Sequence, residues 1–191
     1  MNNILPNEGD ISLNSISFSS LSESQLVDVY AGTIYKFCKS IAYSKEDADD
    51  LFQDTFILAF SHMSKIKRCD NPRNFLLSTA AYLWKSRQRK FARRKKLAPE
   101  ITINEEFDTK SDNIDLVDDV ITKEEQRIVR GLVDALPEKL KIPVILYYTN
   151  ELSISDIATI LKIPAGTVKS RLHKARKIIE KGLVLNYEYS S

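Results

Sequence analysis

Cysteine is scarce in this 191-residue chain: there are only Cys38 and Cys69. Two isolated cysteines support neither a disulfide framework nor a cysteine zinc site, so both read as ordinary buried or half-buried thiols of a reducing compartment. No apolar run approaches the length of a membrane span. The Asn- and Ser-rich N-terminus lacks the charged-then-apolar order of a secretory leader. A cytoplasmic protein with no membrane insertion is expected. Ligands for metal catalysis are also short. Asp50 and Asp54 are one helical turn apart, as two ligands would be, but the nearby basic segment adds no carboxylate or imidazole to converge on them. No metal, cofactor or catalytic residue is expected, and a divalent-metal nuclease is the least favoured reading.

What the chain does have is charge segregated by sign. Its net charge is only +2. Yet from Lys85 to Lys96 eight of twelve residues are Lys or Arg and none is acidic, whereas from Leu97 to Asp119 there are eight carboxylates and one Lys. A block of one sign repels itself unless a polyanion neutralises it, so the basic run favours phosphate contact over plain solvation. Of the aromatic residues beside it, Tyr82, Trp84 and Phe91, two are expected in the core and one exposed, where it can stack on an unpaired base.

The sharpest local pattern lies near the C-terminus. Ser153 and Asp156 have capping-box spacing, with Asp in place of the usual Glu. Ile157, Ala158, Ile160 and Leu161 follow at helical intervals, and the run breaks at Lys162-Ile163-Pro164 because a residue before proline is driven out of the helical region. In the next helix Val168, Leu172, Ala175 and Ile179 recur on one face. Ser170, His173, Lys174 and Lys177 then point the other way, with Lys169 on the flank. This is a helix-turn-helix whose second helix is shaped for a DNA major groove; the alternative is a basic amphipathic hairpin with a merely solvated face.

The remaining segments are helical or polar, and the fold class is all-α without strands: two small helical domains joined by an acidic flexible linker. Residues 1–20 read as a disordered tail, 21–97 as the first domain, 98–119 as the linker, 120–185 as the second domain and 186–191 as a tail. The first domain should hold a helix over 24–43, a second from the N-cap Ser44, a loop over 65–74 and a third helix from about Phe75 to Lys95. The second should hold helices around 124–136 and 138–148 before the helix-turn-helix. Asp47, Asp49, Asp50 and Asp54 give the second helix an acidic face. Such a face beside a DNA-binding surface would repel DNA, and so fits a protein partner better.

Asp50-Leu-Phe-Gln-Asp-Thr-Phe56, Leu136-Pro-Glu-Lys139, Ser155-Asp-Ile-Ala158 and Pro164-Ala-Gly-Thr-Val-Lys-Ser-Arg-Leu-His-Lys-Ala-Arg176 together resemble the small, two-domain extracytoplasmic-function (ECF) sigma factors of the sigma-70 family. The resemblance implies a non-catalytic specificity subunit that binds core bacterial RNA polymerase and directs initiation at promoters with −10 and −35 elements. It implies polymerase docking by Asp47, Asp50, Leu51, Gln53 and Asp54. The −35 element would be read by Thr167, Lys169, Ser170, Arg171, His173, Lys174, Arg176 and Lys177. The −10 element and its backbone would be contacted by Lys65, Lys67, Arg68, Asn71, Arg73, Asn74, Tyr82, Lys85, Arg87, Arg89, Lys90, Arg93 and Arg94. The 65–74 loop would capture a base flipped from the melted strand, which costs a few kcal/mol of stacking. The acidic linker would follow the RNA-exit path, and an anti-sigma factor would be a further partner. One departure stands out. The family's Trp-Leu and Arg-Asn pairs are here Phe75-Leu76 and Ala81-Tyr82, so the polar contact of that Asn does not carry over. A stand-alone helix-turn-helix regulator is the alternative function.

Overall fold

The computed structural model describes residues 22–97 and 123–190, with side chains for 22–94 and 124–186. The expected N-terminal tail and acidic linker lie outside the described residues. What is described is helical, with no strand. Helix α1 (Glu23–Ile41) starts at a capping box: Ser22 accepts from the Gln25 amide, and the Gln25 side chain returns to the Ser22 amide. It ends at Ile41, two residues before the expected Tyr43, because Ala42 is already extended. Helix α2 (Lys45–Phe60) begins where Ser44 accepts from the Asp47 amide.

The expected loop over 65–74 is a loop at its centre, 67–71, and helical at both ends. A short α3 (Met63–Ile66) is followed by α4 (Pro72–Leu97). Helix α4 opens ahead of Phe75 because Asn71 accepts from the Asn74 amide and Pro72 needs no amide partner in the first turn. Leu26, Ile34 and Phe37 of α1, Leu51 of α2, and Leu76, Leu77 and Trp84 of α4 form the core of this half, all at most 2 % exposed. Burying each such side chain contributes roughly 1.5–3 kcal/mol.

The second half comprises α5 (Lys123–Asp134), α6 (Glu138–Val144), α7 (Ile154–Leu161) and α8 (Ala165–Ser190). Residues 186–190, expected as a tail, continue the α8 helix. The helix expected over 138–148 changes character midway. Pro143 sits inside α6, and residues 145–149 form a π-helical turn closed by the Asn150 amide on the Ile145 carbonyl. A proline lacks the amide for the preceding turn and crowds its carbonyl, and widening the helix just beyond it is one way to absorb the misfit. Lys141, buried on α6, is paired with Asp134 at 2.9 Å. Gly182 lets Leu132 of α5 lie directly on α8, where a methyl group would collide with it.

The two halves do not stand apart as tethered bodies. Helix α7 packs on α4, and the π-turn touches α1. Helix α7 is bracketed by two non-glycine residues with positive φ, Glu151 and Lys162, both at 53°. Lys162 is exposed and C-caps α7 in the left-handed conformation, which disfavours a side chain with a Cβ. Lys162→Gly should therefore stabilise the chain by about 0.5–1 kcal/mol, read as a higher urea midpoint with an unchanged m-value.

Candidate nucleic-acid interface and docking face

Helix α8 sorts its residues as a groove-reading helix requires. Val168 and Ala175 are fully buried and Leu172 nearly so, while Ile179 packs against the same core. Lys169, Ser170, His173, Lys174 and Lys177 are exposed; Thr167 and Arg171 are half-buried at the edges. The Ser153 hydroxyl accepts from the Asp156 amide and fixes the start of α7. The Ser170 hydroxyl donates to the Thr167 carbonyl at 3.0 Å, so its oxygen stays open as an acceptor. Arg176 differs from the rest of the group. Its guanidinium donates to the Tyr148 hydroxyl at 2.9 Å, and its stem lines an apolar cleft of about 260 Å³ with Val133, Ile145, Leu172 and Ile179. It stands at the rim between the reading row and the cleft.

The second cationic surface is the far half of α4. Lys85, Arg89, Lys90, Arg93 and Arg94 are exposed with no acid among them. Tyr82 and Phe91 are 60 % and 63 % exposed, and only Trp84 is core. This corrects the expectation of two core rings in three. Arg87 is the last described α4 residue bonded to α2, and 89–94 are all exposed, Phe91 among them. Lys65, Lys67, Arg68 and Asn71 are exposed at the opposite end.

Arg73 and Asn74, assigned from sequence to the −10 contact, are engaged elsewhere. Arg73 donates to the Asn150 carbonyl at 2.7 Å, and Asn74 to the Asp156 carboxylate at 3.0 Å. Ser78 donates to the Ile160 carbonyl at 3.1 Å. Farther along, the Tyr43 hydroxyl reaches Glu138 at 3.4 Å, which is long for such a bond. Burial, then the Glu138 carboxylate, raises the Tyr43 pKa above that of an ordinary tyrosine. Ser78, Asn150, Asp156 and Glu138 had no place in the sequence-based site. Their partners lie 77 to 95 residues away, and no local pattern marks such pairings.

On α2, Asp50, Gln53 and Asp54 are exposed and Asp47 is half-buried. Leu51 is fully buried. Grouped from sequence with the docking residues, it cannot touch a partner; it anchors the helix that displays the others. Asp49 accepts from the Tyr35 hydroxyl at 2.8 Å. Asp54 is paired with Arg87 of α4 at 2.6 Å, so the acidic and basic surfaces meet along one seam. Among the described residues no group of three or more His, Cys, Asp or Glu is placed to hold a metal ion, and no helix is long and apolar enough to cross a membrane. Burial pushes the Cys38 thiol up to about 12 and raises Cys69 in the same direction, which leaves both protonated at neutral pH.

A helix-turn-helix with a free reading row, joined to a second helical unit with its own cationic helix and an acidic face, defines a nucleic-acid-binding protein that also carries a surface for a protein. Comparison with known proteins narrows the class. The profile for Sigma-70 region 2 matches residues 26–94, and that for Sigma-70, region 4 matches residues 126–179. The ECF RNA polymerase sigma factor SigW of Bacillus subtilis is 30% identical over 162 residues, covering 83% of this chain and 87% of that protein. The ECF RNA polymerase sigma-E factor of Haemophilus influenzae is 30% identical over 141 residues, covering 72% and 75%. The sigma factor RpoE of Bartonella quintana, solved in complex with the anti-sigma factor NepR, shares the fold with a TM-score of 0.67 at 21% identity, covering 84% of this chain and 95% of that one. This chain belongs to the sigma-70 family, in its ECF branch.

Because the Asp54–Arg87 pair is half open to water, it contributes little to folding. Asp54→Asn should lower stability by about 0.2–1 kcal/mol at low ionic strength, and by less in high salt. Chemical denaturation at two salt concentrations measures this.

Proposed function

We propose that this chain is a promoter-specificity subunit. It binds core bacterial RNA polymerase through the acidic face of α2 and directs initiation by contacting a −10 element with α4 and a −35 element with α8. The observation that carries this reading is the pairing, in one chain of this family, of an unobstructed reading row on α8 with a separate cationic helix bearing exposed Tyr82 and Phe91. The residues divide by task. Ser170, His173 and Lys174 face base edges, with Lys169 and Lys177 on the adjoining phosphates. Thr167 and Arg171 flank them, and Arg176 braces the helix through Tyr148. Lys85, Arg89, Lys90, Arg93 and Arg94 hold the backbone of the opening duplex, where exposed rings are suited to unpaired bases. Asp50, Gln53 and Asp54 meet the polymerase, with Asp47 at the margin.

In this reading residues 21–97 and 120–185 are the working units and 98–119 joins them. The chain supplies specificity and no catalysis of its own, it works in the cytoplasm where the polymerase is, and it needs no cofactor. An anti-sigma factor is a natural antagonist, as in the complex solved for the RpoE relative. A stand-alone regulator is less favoured, because the family match covers the docking unit as well as the helix-turn-helix.

Asp50→Lys should lower association with purified core polymerase by about tenfold or more, with the larger effect on the on-rate and at low salt. Asp54→Asn, which keeps the size of the side chain, should have the smaller effect. The readouts are co-purification with core enzyme and run-off transcription; full transcription by Asp50→Lys would remove the docking role from α2. A second set separates backbone from base contacts. Ala at Ser170, His173 or Lys174 should each relax discrimination among −35 sequences by about 1–3 kcal/mol. Ala at Arg93 or Arg94 should weaken all sequences alike and reduce the salt slope by about 0.9 per lost contact. Binding titrations over a panel of −35 variants at several salt concentrations decide between the two patterns.

A further inference from the structure

We propose that the cleft between α5, the π-turn and α8 is a binding site for a small amphiphilic carboxylate, such as a medium-chain fatty acid. The inference goes beyond the promoter-subunit reading and needs nothing from it. The cleft measures about 260 Å³, just under the range of clefts that hold drug-sized ligands, so its occupant is small. Val129 and Val133 of α5, Ile145 of the π-turn, and Leu172 and Ile179 of α8 give it apolar walls. Val129, Val133 and Ile179 are only half-buried, so ligand carbon laid over them removes apolar surface from water. The widened turn itself supplies Ile145, Tyr148 and Thr149 to the lining. Single π-turns of this kind are frequent at functional sites.

The charged groups decide what kind of carbon chain fits. Arg130 and Arg176 both line the cleft, and Glu180 is the one acid among its lining residues. Two guanidiniums against one carboxylate leave an excess of positive charge beside apolar walls. A ligand apolar along its length and anionic at one end answers both. Arg176 is exposed, and one of its terminal nitrogens donates to the Tyr148 hydroxyl at 2.9 Å. A guanidinium has five N–H donors in a planar fork, so that bond leaves others for a carboxylate. The Tyr148 oxygen is the acceptor there, and its own proton remains to be donated to a second carboxylate oxygen. Its ring is steadied edge-on by Tyr147, with centroids 4.9 Å apart. A methylene takes up about the 30 Å³ that a molecule of liquid water does, so about eight or nine carbons fill the space. A cationic head would meet the guanidiniums with like charge, and a neutral one would forgo the charge-assisted bonds.

The test titrates the full chain with octanoate and follows the methyl groups by NMR. Those of Ile145 and Ile179 should shift saturably, with one equivalent bound, while that of Ile57 on α2 stays in place. Affinity should rise about fourfold per methylene from hexanoate to octanoate. It should level off by dodecanoate, once the cleft is full. Arg176→Gln should weaken octanoate about tenfold and leave octanol unchanged. Val129→Phe fills the cleft and should abolish binding. Should that variant disturb α5, as helical circular dichroism would reveal, Arg176→Gln at its exposed position carries the test. The absence of a saturable shift at millimolar octanoate overturns the proposal. Equal affinity for octanol or octylamine also overturns it, and would leave the cleft to uncharged groups such as the apolar side chains of a protein partner. So does octanoate binding that a folded Val129→Phe variant retains. The titration uses neither polymerase nor promoter DNA, so its failure and that of the promoter-subunit reading are told apart.

Discussion

Helix α4 is the member on which the rest of this molecule leans. Its first half gives Leu76, Leu77, Ala80, Ala81 and Trp84 to the core shared with α1 and α2, while Ser78 on another face receives α7. Its second half then projects past its neighbours with cations that no acid on the same helix offsets. A run of eight like charges would favour a disordered strand. It stays helical because the apolar half supplies a rigid start, and because Arg87 finds Asp54 across the seam with α2. The cationic surface, the acidic surface and the contact between the halves are all set by the orientation of this one helix.

Much of the site was legible before any coordinates. Period and caps were sufficient for the helix-turn-helix, since Ser153 and the Val168, Leu172, Ala175 stripe are local signals and local interactions satisfy them. The acidic face of α2 was readable for the same reason. Three things were not. Asn71-Pro72 is a good helix start, but the polar residues around it outweighed it and suggested a loop. Leu51 was grouped with its sequence neighbours, although a helix turns it through about 100° from Asp50 and into the core. Neither could the contacts between the halves be foreseen, because a bond between Asn74 and Asp156 depends on two side chains that are unremarkable in their own segments.

That last class of contact alters how the family's two-part plan is to be understood here. Charge segregation suggested two reading heads on a tether, each ready for its element. The structure instead brings the second head onto the first, with directional hydrogen bonds beside an apolar core that runs through both.

The only tryptophan in the chain sits where the two halves can be overheard. Trp84 is buried, its ring is 5.2 Å from that of Tyr43, and the Tyr43 hydroxyl reaches Glu138 of the second half. Any parting of the halves removes that carboxylate and frees the tyrosine to tilt, changing both the polarity around the indole and the ring beside it. The molecule therefore carries its own fluorophore at the joint, and its emission can follow opening in an unlabelled chain, in real time and in the presence of polymerase-free DNA.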